Sequence, residues 1–107
     1  MKNMTNITEM AFQIILHAGD DKTKAMEAIK EAKRGHFDNA EQLIENAGRE
    51  LGKAHKYQTE LLQKEANGEE NLISVILIHS QDHLMTSMTV KELAAEFINV
   101  YKELSKK

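Results

Sequence analysis

The near absence of chain-breaking residues restricts the fold of this sequence most. Its 107 residues include no proline and only five glycines, which occupy positions 19, 35, 48, 52 and 68. Proline and glycine usually form the turns that separate β-strands, so the scarcity of these two residues predicts an all-α protein. Gly35 and Gly68 each follow a basic or polar stretch, where the end of a helix often needs a residue that tolerates positive φ. These two glycines therefore divide the chain into three helices.

The three predicted helices cover residues 5–34, 38–66 and 70–105. In the first two, apolar residues recur on one face and charges occupy the rest, which is the pattern of a helix half buried in a bundle. Gly19 predicts at most a kink in the first helix. Helices of this length span about 40–45 Å, and short connections make neighbouring helices antiparallel. We therefore predict a single domain, residues 1–107, folded as an antiparallel up-down-up three-helix bundle.

The third predicted helix has apolar residues on every face. Between Asn71 and Val90 the only formally charged residue is Asp82. A helix that is apolar all round has to be buried all round, and two partner helices cannot cover its whole circumference. Half of these positions are polar, which excludes a membrane span. We therefore predict that copies of this helix also pack against each other in a small closed oligomer.

Composition and charge exclude several classes of function. Fourteen Lys and Arg stand against 17 Asp and Glu, a net charge of -3, and both signs are interleaved along the chain. This balance disfavours binding to nucleic acids or anionic membranes. The absence of cysteine excludes a disulfide framework, a thiolate zinc site and a cysteine nucleophile. Because no apolar leader follows the first residues, we expect a cytoplasmic protein.

Three polar residues stand together in the apolar third helix, and they are the candidates for chemistry. His79, Asp82 and His83 are spaced so that they share one side of a helix, with neighbouring Cβ atoms about 5–6 Å apart. An ionised carboxylate on an apolar surface has to be compensated, so Asp82 needs a partner. Four interpretations compete: a satisfied buried network, a zinc site made by the trio, proton transfer or hydrolysis with Ser80, and covalent catalysis by a histidine.

Geometry weakens two of these interpretations and leaves the buried network and the covalent histidine open. Ser80 points about 100° away from His79 on a helix, so a nucleophile–base pair does not form. No second ligand pair elsewhere in the chain supports zinc. A neutral imidazole can accept a phosphoryl group and pass it on, and this transfer needs mainly positioning and charge stabilisation. It therefore suits a small domain that lacks a glycine-rich phosphate loop.

The run from His79 to Thr86 resembles the IIA component of the lactose/cellobiose (diacetylchitobiose) type of the phosphoenolpyruvate-dependent sugar phosphotransferase system. The resemblance covers about residues 7–105, and its further motifs are Ala18-Gly19, residues 32–37 with Ala40, and Ala54-His55 with Gln58, Thr59 and Leu61. It implies a phosphoryl carrier for the uptake of cellobiose-type or lactose-type disaccharides. His79 would accept the phosphoryl group from the histidine-containing phosphocarrier protein and donate it to a IIB component.

The resemblance also implies a homotrimer in which Asp82 of three copies lies at the threefold axis and shares one divalent metal ion, normally magnesium. The charge argument agrees, because three carboxylates on one axis repel each other and a divalent cation relieves them. Around the phosphoryl group we predict supporting roles for His83, Gln81 and Gln58. The alternatives are an interface histidine at position 83 and a buried structural amide at position 58.

Two further expectations complete the sequence-based hypothesis. Following the family, the nucleophile is Nε2 of His79, and because the predicted helix begins at residue 70, no free amide of a helix N-terminus should reach this side chain. The alternative function is a non-catalytic helical interaction or scaffold protein. Gly35-His36-Phe37 followed by Ala40 resembles the turn of helical repeats, although no second copy occurs at a 34-residue period. The residues do not identify the transported sugar.

Overall fold

The protein is a bundle of three α-helices with no other regular element in the residues that the structure describes. This structure, a computed structural model, covers residues 2–68 and 74–107, with side-chain surroundings from residue 6 onward. The helices are α1 (Lys2–Lys33), α2 (Phe37–Ala66) and α3 (Val75–Ser105). The bundle measures 59 × 19 × 19 Å, and α1 packs closely on both of the other helices. The predicted all-α, three-helix fold is confirmed.

The two glycines chosen as helix ends adopt the predicted conformation. Gly35 has φ 84° and Gly68 has φ 87°, and no other residue of the described chain has positive φ. After α1, the amide of Gly35 donates to the carbonyl of Ala32 at 3.0 Å and that of His36 donates to the carbonyl of Glu31 at 2.9 Å. These bonds satisfy the last carbonyls of α1, which explains why so short a turn can reverse the chain.

The helix bounds agree with the prediction except at two starts. The first helix begins at Lys2 instead of residue 5 and continues without a break through Gly19. The predicted start of the third helix, residue 70, lies outside the described residues, and α3 begins at Val75. Ser74 is extended (φ -139°, ψ 163°), and its hydroxyl accepts a hydrogen bond from the amide of Leu77 at 3.2 Å. This serine is an N-cap that the sequence analysis overlooked.

Two separate apolar clusters fill the space between the helices. The first cluster lies towards the start of α1 and α3 and contains Ile7, Met10, Ile14, Ala18, Ala54, Leu61 and Leu84. The second cluster lies towards the other end and contains Ala28, Ala32, Ala40 and Ile98. On α2 the buried residues Ala40, Ala47, Ala54 and Leu61 recur every seven positions, as the predicted stripe requires. The small size of the three alanines allows the helices to approach closely.

Of two buried serines on α3, one bonds to α1 and the other bonds within its own helix. Ser80 and Ser87 are completely buried. The hydroxyl of Ser87 donates to the main-chain carbonyl of Ala18 on α1 at 2.7 Å, whereas that of Ser80 donates to the carbonyl of Leu77 on its own helix at 2.6 Å. Both hydroxyls are satisfied, so their burial carries little cost. The Ser87–Ala18 bond sets the axial position of α3 relative to α1. No helix in the described residues is long and apolar enough to cross a bilayer.

The core arrangement predicts the effect of truncating Leu84, which is 2% exposed in the first cluster. Leu84→Ala should lower the free energy of unfolding by about 2–5 kcal/mol, because it removes buried apolar contacts and leaves a cavity. The matched control is Leu62→Ala on the outside of α2, where the leucine is 55% exposed and the change should be about 0.5 kcal/mol or less. Denaturant unfolding at one protein concentration measures both, and equal losses would contradict the assigned core.

Candidate functional site

His79 and His83 make a direct contact on the outer side of α3. Their Nε2 atoms are 3.0 Å apart, and the ring planes meet at 86° with 4.4 Å between the centroids. A hydrogen bond between two imidazole nitrogens needs one protonated donor and one unprotonated acceptor. His79 is exposed and His83 is half-buried. The i, i+4 spacing therefore produces a coupled pair in which the lone pair of one Nε2 accepts the proton of the other.

Asp82 takes no part in this pair. Its side chain is exposed in the single chain, so the interpretation as a satisfied buried network is wrong at the level of one chain. Within the described residues of one chain, no group of three or more His, Cys, Asp or Glu side chains could hold a metal ion. The zinc interpretation with His79, Asp82 and His83 as ligands therefore has no support in the geometry.

Asp82 lies within an exposed stripe of large apolar residues on α3. These residues are between 46% and 86% exposed, and they are Val75, Ile78, Met85, Leu93, Phe97, Val100 and Leu104. Val75, Ile78, Asp82, Met85 and Thr89 follow alternating spacings of three and four, which is the pattern of a coiled-coil seam. Half of the circumference of α3 is thus uncovered by α1 and α2. Exposed apolar patches of this kind mark interaction surfaces.

The structure places His79 near the beginning of α3. The amide of Leu77 is taken by Ser74 and that of Ile78 donates to the carbonyl of Ser74 at 3.0 Å, whereas the first amides of any helix have no acceptor within the helix. Side chains on a helix lean towards its N-terminus, so His79 covers the turn that starts at Val75. His79 is thus the fifth residue of α3 and not a mid-helix residue, as the predicted start at residue 70 implied; whether a free amide reaches its ring stays a prediction. The positive end of the α3 dipole lies beside this histidine, where it favours an anion.

Gln81 lies on the other side of the seam from His79. Two residues further along a helix correspond to a rotation of about 200°, so the two side chains point in nearly opposite directions. The amide Nε2 of Gln81 donates to the hydroxyl of Ser80 at 3.3 Å. Within one chain the structure does not bring Gln81 to the histidine pair, and its predicted supporting role stays a prediction. Complete burial of Ser80 agrees with the exclusion of this residue as a nucleophile.

Gln58 belongs to α2 and lies between two residues of the first cluster, Ala54 and Leu61. Its side chain is half-buried, and its Oε1 atom is buried without a hydrogen-bond partner in the described structure. This oxygen therefore lacks the hydrogen bond that the alternative, a buried structural amide, would give it. The predicted role of Gln58 beside a phosphoryl group stays a prediction.

A three-helix bundle with a contacting histidine pair near the start of one helix has the parts that a small phosphoryl-carrier domain needs. Comparison with known proteins gives the family. The chain belongs to the family described as "PTS system, Lactose/Cellobiose specific IIA subunit", whose pattern it matches over residues 9–102. The predicted family and the predicted activity, that of a phosphotransferase component, are confirmed.

Individual relatives resemble the chain over nearly its whole length. It is 48% identical over 97 residues to the lichenan-specific phosphotransferase enzyme IIA component of Bacillus subtilis, a match that covers 91% of this chain and 88% of the relative. The crystal structure of the cellobiose-specific enzyme IIA of Bacillus anthracis superposes with a TM-score of 0.91 at 50% identity, covering 92% and 91% of the two chains. The chitobiose IIA of Escherichia coli, solved in complex with HPr, has a TM-score of 0.80 at 34% identity, covering 92% and 96%.

The histidine contact predicts complementary protonation of the two rings. In nitrogen-15 NMR spectra at neutral pH, one of the two Nε2 atoms should carry a proton and the other should be unprotonated, because only this combination forms the observed bond. His83→Ala should change the tautomer distribution of His79. His55→Ala, a change on α2, is the control and should leave the His79 spectrum as it is. The same protonation state on both Nε2 atoms of the wild type would contradict the contact.

Proposed function

We propose that His79 carries the phosphoryl group, which it accepts from the histidine-containing phosphocarrier protein and passes to a IIB component during uptake of cellobiose-type or lactose-type disaccharides. The contact between Nε2 of His79 and Nε2 of His83 at 3.0 Å carries this proposal. It joins an exposed ring nitrogen to a group that can hold a proton. The complex of the Escherichia coli relative with HPr supports the phosphocarrier as partner.

The transfer is a displacement between two imidazoles. For Nε2 of His79 to attack, His83 has to be the donor of the hydrogen bond, and the proton of His79 then resides on Nδ1. As the new nitrogen–phosphorus bond forms on His79, the bond to the phosphohistidine of the carrier breaks, and its electron pair returns to the leaving imidazole. The Nε2–H group of His83, released from His79, then donates to a phosphoryl oxygen.

Charge stabilisation comes from the position of His79 on α3. The helix begins at Val75, so the partial positive charge of its first turn is near the phosphoryl oxygens. This interaction is worth about 0.3–1 kcal/mol at an exposed site. Transfer to IIB requires that the phosphorylated histidine is stabilised only weakly, because a strongly stabilised phosphoryl group would not be passed on. A stabilisation of this size meets that requirement. The negative charge therefore needs no cluster of basic side chains.

We further propose that the chain acts as a homotrimer, because the exposed stripe on α3 needs a cover. Burial of a large apolar side chain contributes about 1.5–3 kcal/mol, and three parallel copies of α3 would bury this stripe along a common axis. His79 and Gln81 flank the stripe on opposite sides. In parallel helices such flanking positions of neighbouring copies face each other. Assembly therefore gives Gln81 a way to approach the histidine pair of the next subunit.

Asp82 lies in the middle of that stripe, so trimer formation would bring three carboxylates together. Oxygen ligands of this kind suit a divalent cation such as Mg²⁺, and the residues fit this ion only as a set from three chains, since one chain offers a single carboxylate. When bound, the cation would neutralise the carboxylates and hold the subunits together. The phosphoryl transfer described above does not pass through it. The cytoplasmic location inferred from the sequence stays a prediction.

The assignment of His79 is tested by incubation with phosphoenolpyruvate, the first enzyme of the system and the phosphocarrier protein. Mass spectrometry should find an acid-labile phosphate on His79, and His79→Ala should abolish it. His83→Ala should slow the gain of phosphate about a hundredfold, the lower end of the range for a positioned proton donor. His55→Ala is the control and should react at the normal rate. Phosphate on His83 together with full competence of His79→Ala would end the assignment.

The assembly is tested by size-exclusion chromatography with light scattering. The wild type should have three times the mass of the 12.2 kDa chain, and Ile78→Glu in the stripe should convert it to monomers. Leu62→Glu, a matched change of an exposed leucine on α2, should leave the trimer intact. Asp82→Asn should keep the trimer without metal, because it removes the repulsion. A monomeric wild type would instead support the alternative of an interaction protein.

A further inference from the structure

A polar layer interrupts the core between the two apolar clusters. It consists of Asp21 on α1, Gly48 on α2 and Lys91 on α3. On each helix, the residue of this layer falls between those that belong to the first cluster and those that belong to the second. Neither the phosphoryl-transfer site nor the exposed stripe of α3 includes any of the three. The layer therefore needs its own explanation.

Asp21 is a carboxyl group held inside the bundle without a hydrogen bond. It is completely buried, and neither of its carboxylate oxygens has a hydrogen-bond partner in the described structure. The buried hydroxyls of Ser80 and Ser87, in contrast, both donate to carbonyls. Burial without partners disfavours the ionised form. It raises the pKa of Asp21 to about 6, against the weaker opposing attraction of Lys91.

Gly48 gives Lys91 its place in the layer. A Cβ atom at position 48 would lie 3.3 Å from Cε and 3.5 Å from Nζ of Lys91. The end of the lysine side chain therefore lies directly against the backbone of α2, in space that a larger residue would occupy. The three helices make different contributions, since α1 supplies the acid, α2 the space and α3 the cation.

The other charged groups around the buried carboxyl are paired among themselves. On α1, Asp20 and Lys24 form an ion pair at 2.9 Å, and hydrogen bonding with Lys24 and Glu50, in which Asp20 accepts, holds the pKa of Asp20 below its usual range. From α2, Glu50 faces His17 with 3.6 Å between Oε2 and Nδ1. From α3, Lys91 is the group that attracts the buried carboxylate. The charge of the layer thus depends on the proton of one acid and the position of one lysine.

We propose that Asp21, Gly48 and Lys91 form a proton-responsive layer that couples the three helices. When the carboxyl is ionised, it attracts the ammonium of Lys91 and keeps this side chain against Gly48. When the carboxyl takes up a proton, the attraction ends, the cost of the buried charge disappears, and Lys91 is released to solvent. Acidification therefore stabilises the bundle through this layer and at the same time frees the lysine.

The test compares the unfolding equilibria of the wild type and Asp21→Asn at about pH 5 and about pH 7.5. The folded carboxyl binds its proton more tightly than the unfolded one, with a pKa of about 6 against 3.8, so stability is gained as the pH falls through 6. The ratio of the wild-type unfolding constant to that of the variant should accordingly rise about tenfold from the lower to the higher pH. Both proteins are measured at one concentration, so that effects of assembly cancel.

Asp20→Asn is the matched control, because it changes the adjacent carboxyl, which is half-buried and paired with Lys24. Its unfolding constant should follow that of the wild type across the same interval. A second measurement needs no variant: in carbon-13 NMR spectra, the Asp21 carboxyl should titrate near pH 6, and the Lys91 Cε signal should move with it. Identical pH dependence of wild type and Asp21→Asn, or a carboxyl midpoint near 3.8, would overturn the proposal.

Discussion

Two neighbours cannot enclose an α-helix, and this geometric limit governs the whole molecule. α1 and α2 cover the side of α3 that carries Ser80, Leu84 and Ser87, and they leave the opposite side open. The sequence nevertheless places large apolar residues on that open side. A single chain with a width of 19 Å therefore has a thin core and leaves apolar residues of α3 exposed. The candidate site lies on α3 along the edge where its covered and uncovered sides meet.

That edge explains why so few residues are needed for chemistry. His79 projects from the second turn of α3, where the backbone provides positive charge, and His83 reaches it from the next turn with 3.0 Å between the nitrogens. In the proposed function, a nucleophile, a proton partner and an electrostatic field would thus come from nine consecutive residues of one helix. The proposed transfer would need no separate binding loop, since another protein would present the phosphoryl group.

The helical spacing of the apolar residues and the positions of two glycines were sufficient to predict the architecture. The positive φ of Gly35 and Gly68, the alanine stripe of α2 and the i, i+4 pairing of the histidines all follow from local rules that tertiary packing did not override. The start of α3 was missed because Glu69 and Glu70 carry the charges that favour a helix N-terminus, whereas the actual cap is the hydroxyl of Ser74. Capping geometry depends on one backbone conformation, which composition does not reveal.

The buried position of Asp21 was also missed, and for a different reason. A pair of adjacent aspartates suggests a solvated surface, although position 21 lies in register with the apolar residues of α1, between Ala18 and Ala25. Helical periodicity alone would have placed Asp21 in the core, whereas a carboxylate side chain is normally expected at the surface. The supporting roles of Gln58 and Gln81 do not follow from local sequence rules, because in the proposed trimer the groups around them would belong to neighbouring copies.

The hydrogen bond from Ser87 to the carbonyl of Ala18 also fixes the position of the candidate site relative to α1. Sliding α3 by one residue along α1 would displace every side chain by about 1.5 Å along the axis and break this bond. The position of the His79 side chain along the axis of α1 is consequently fixed. In the proposed function, the protein that delivers the phosphoryl group and the protein that receives it would therefore find His79 at the same position, without a rearrangement of the bundle.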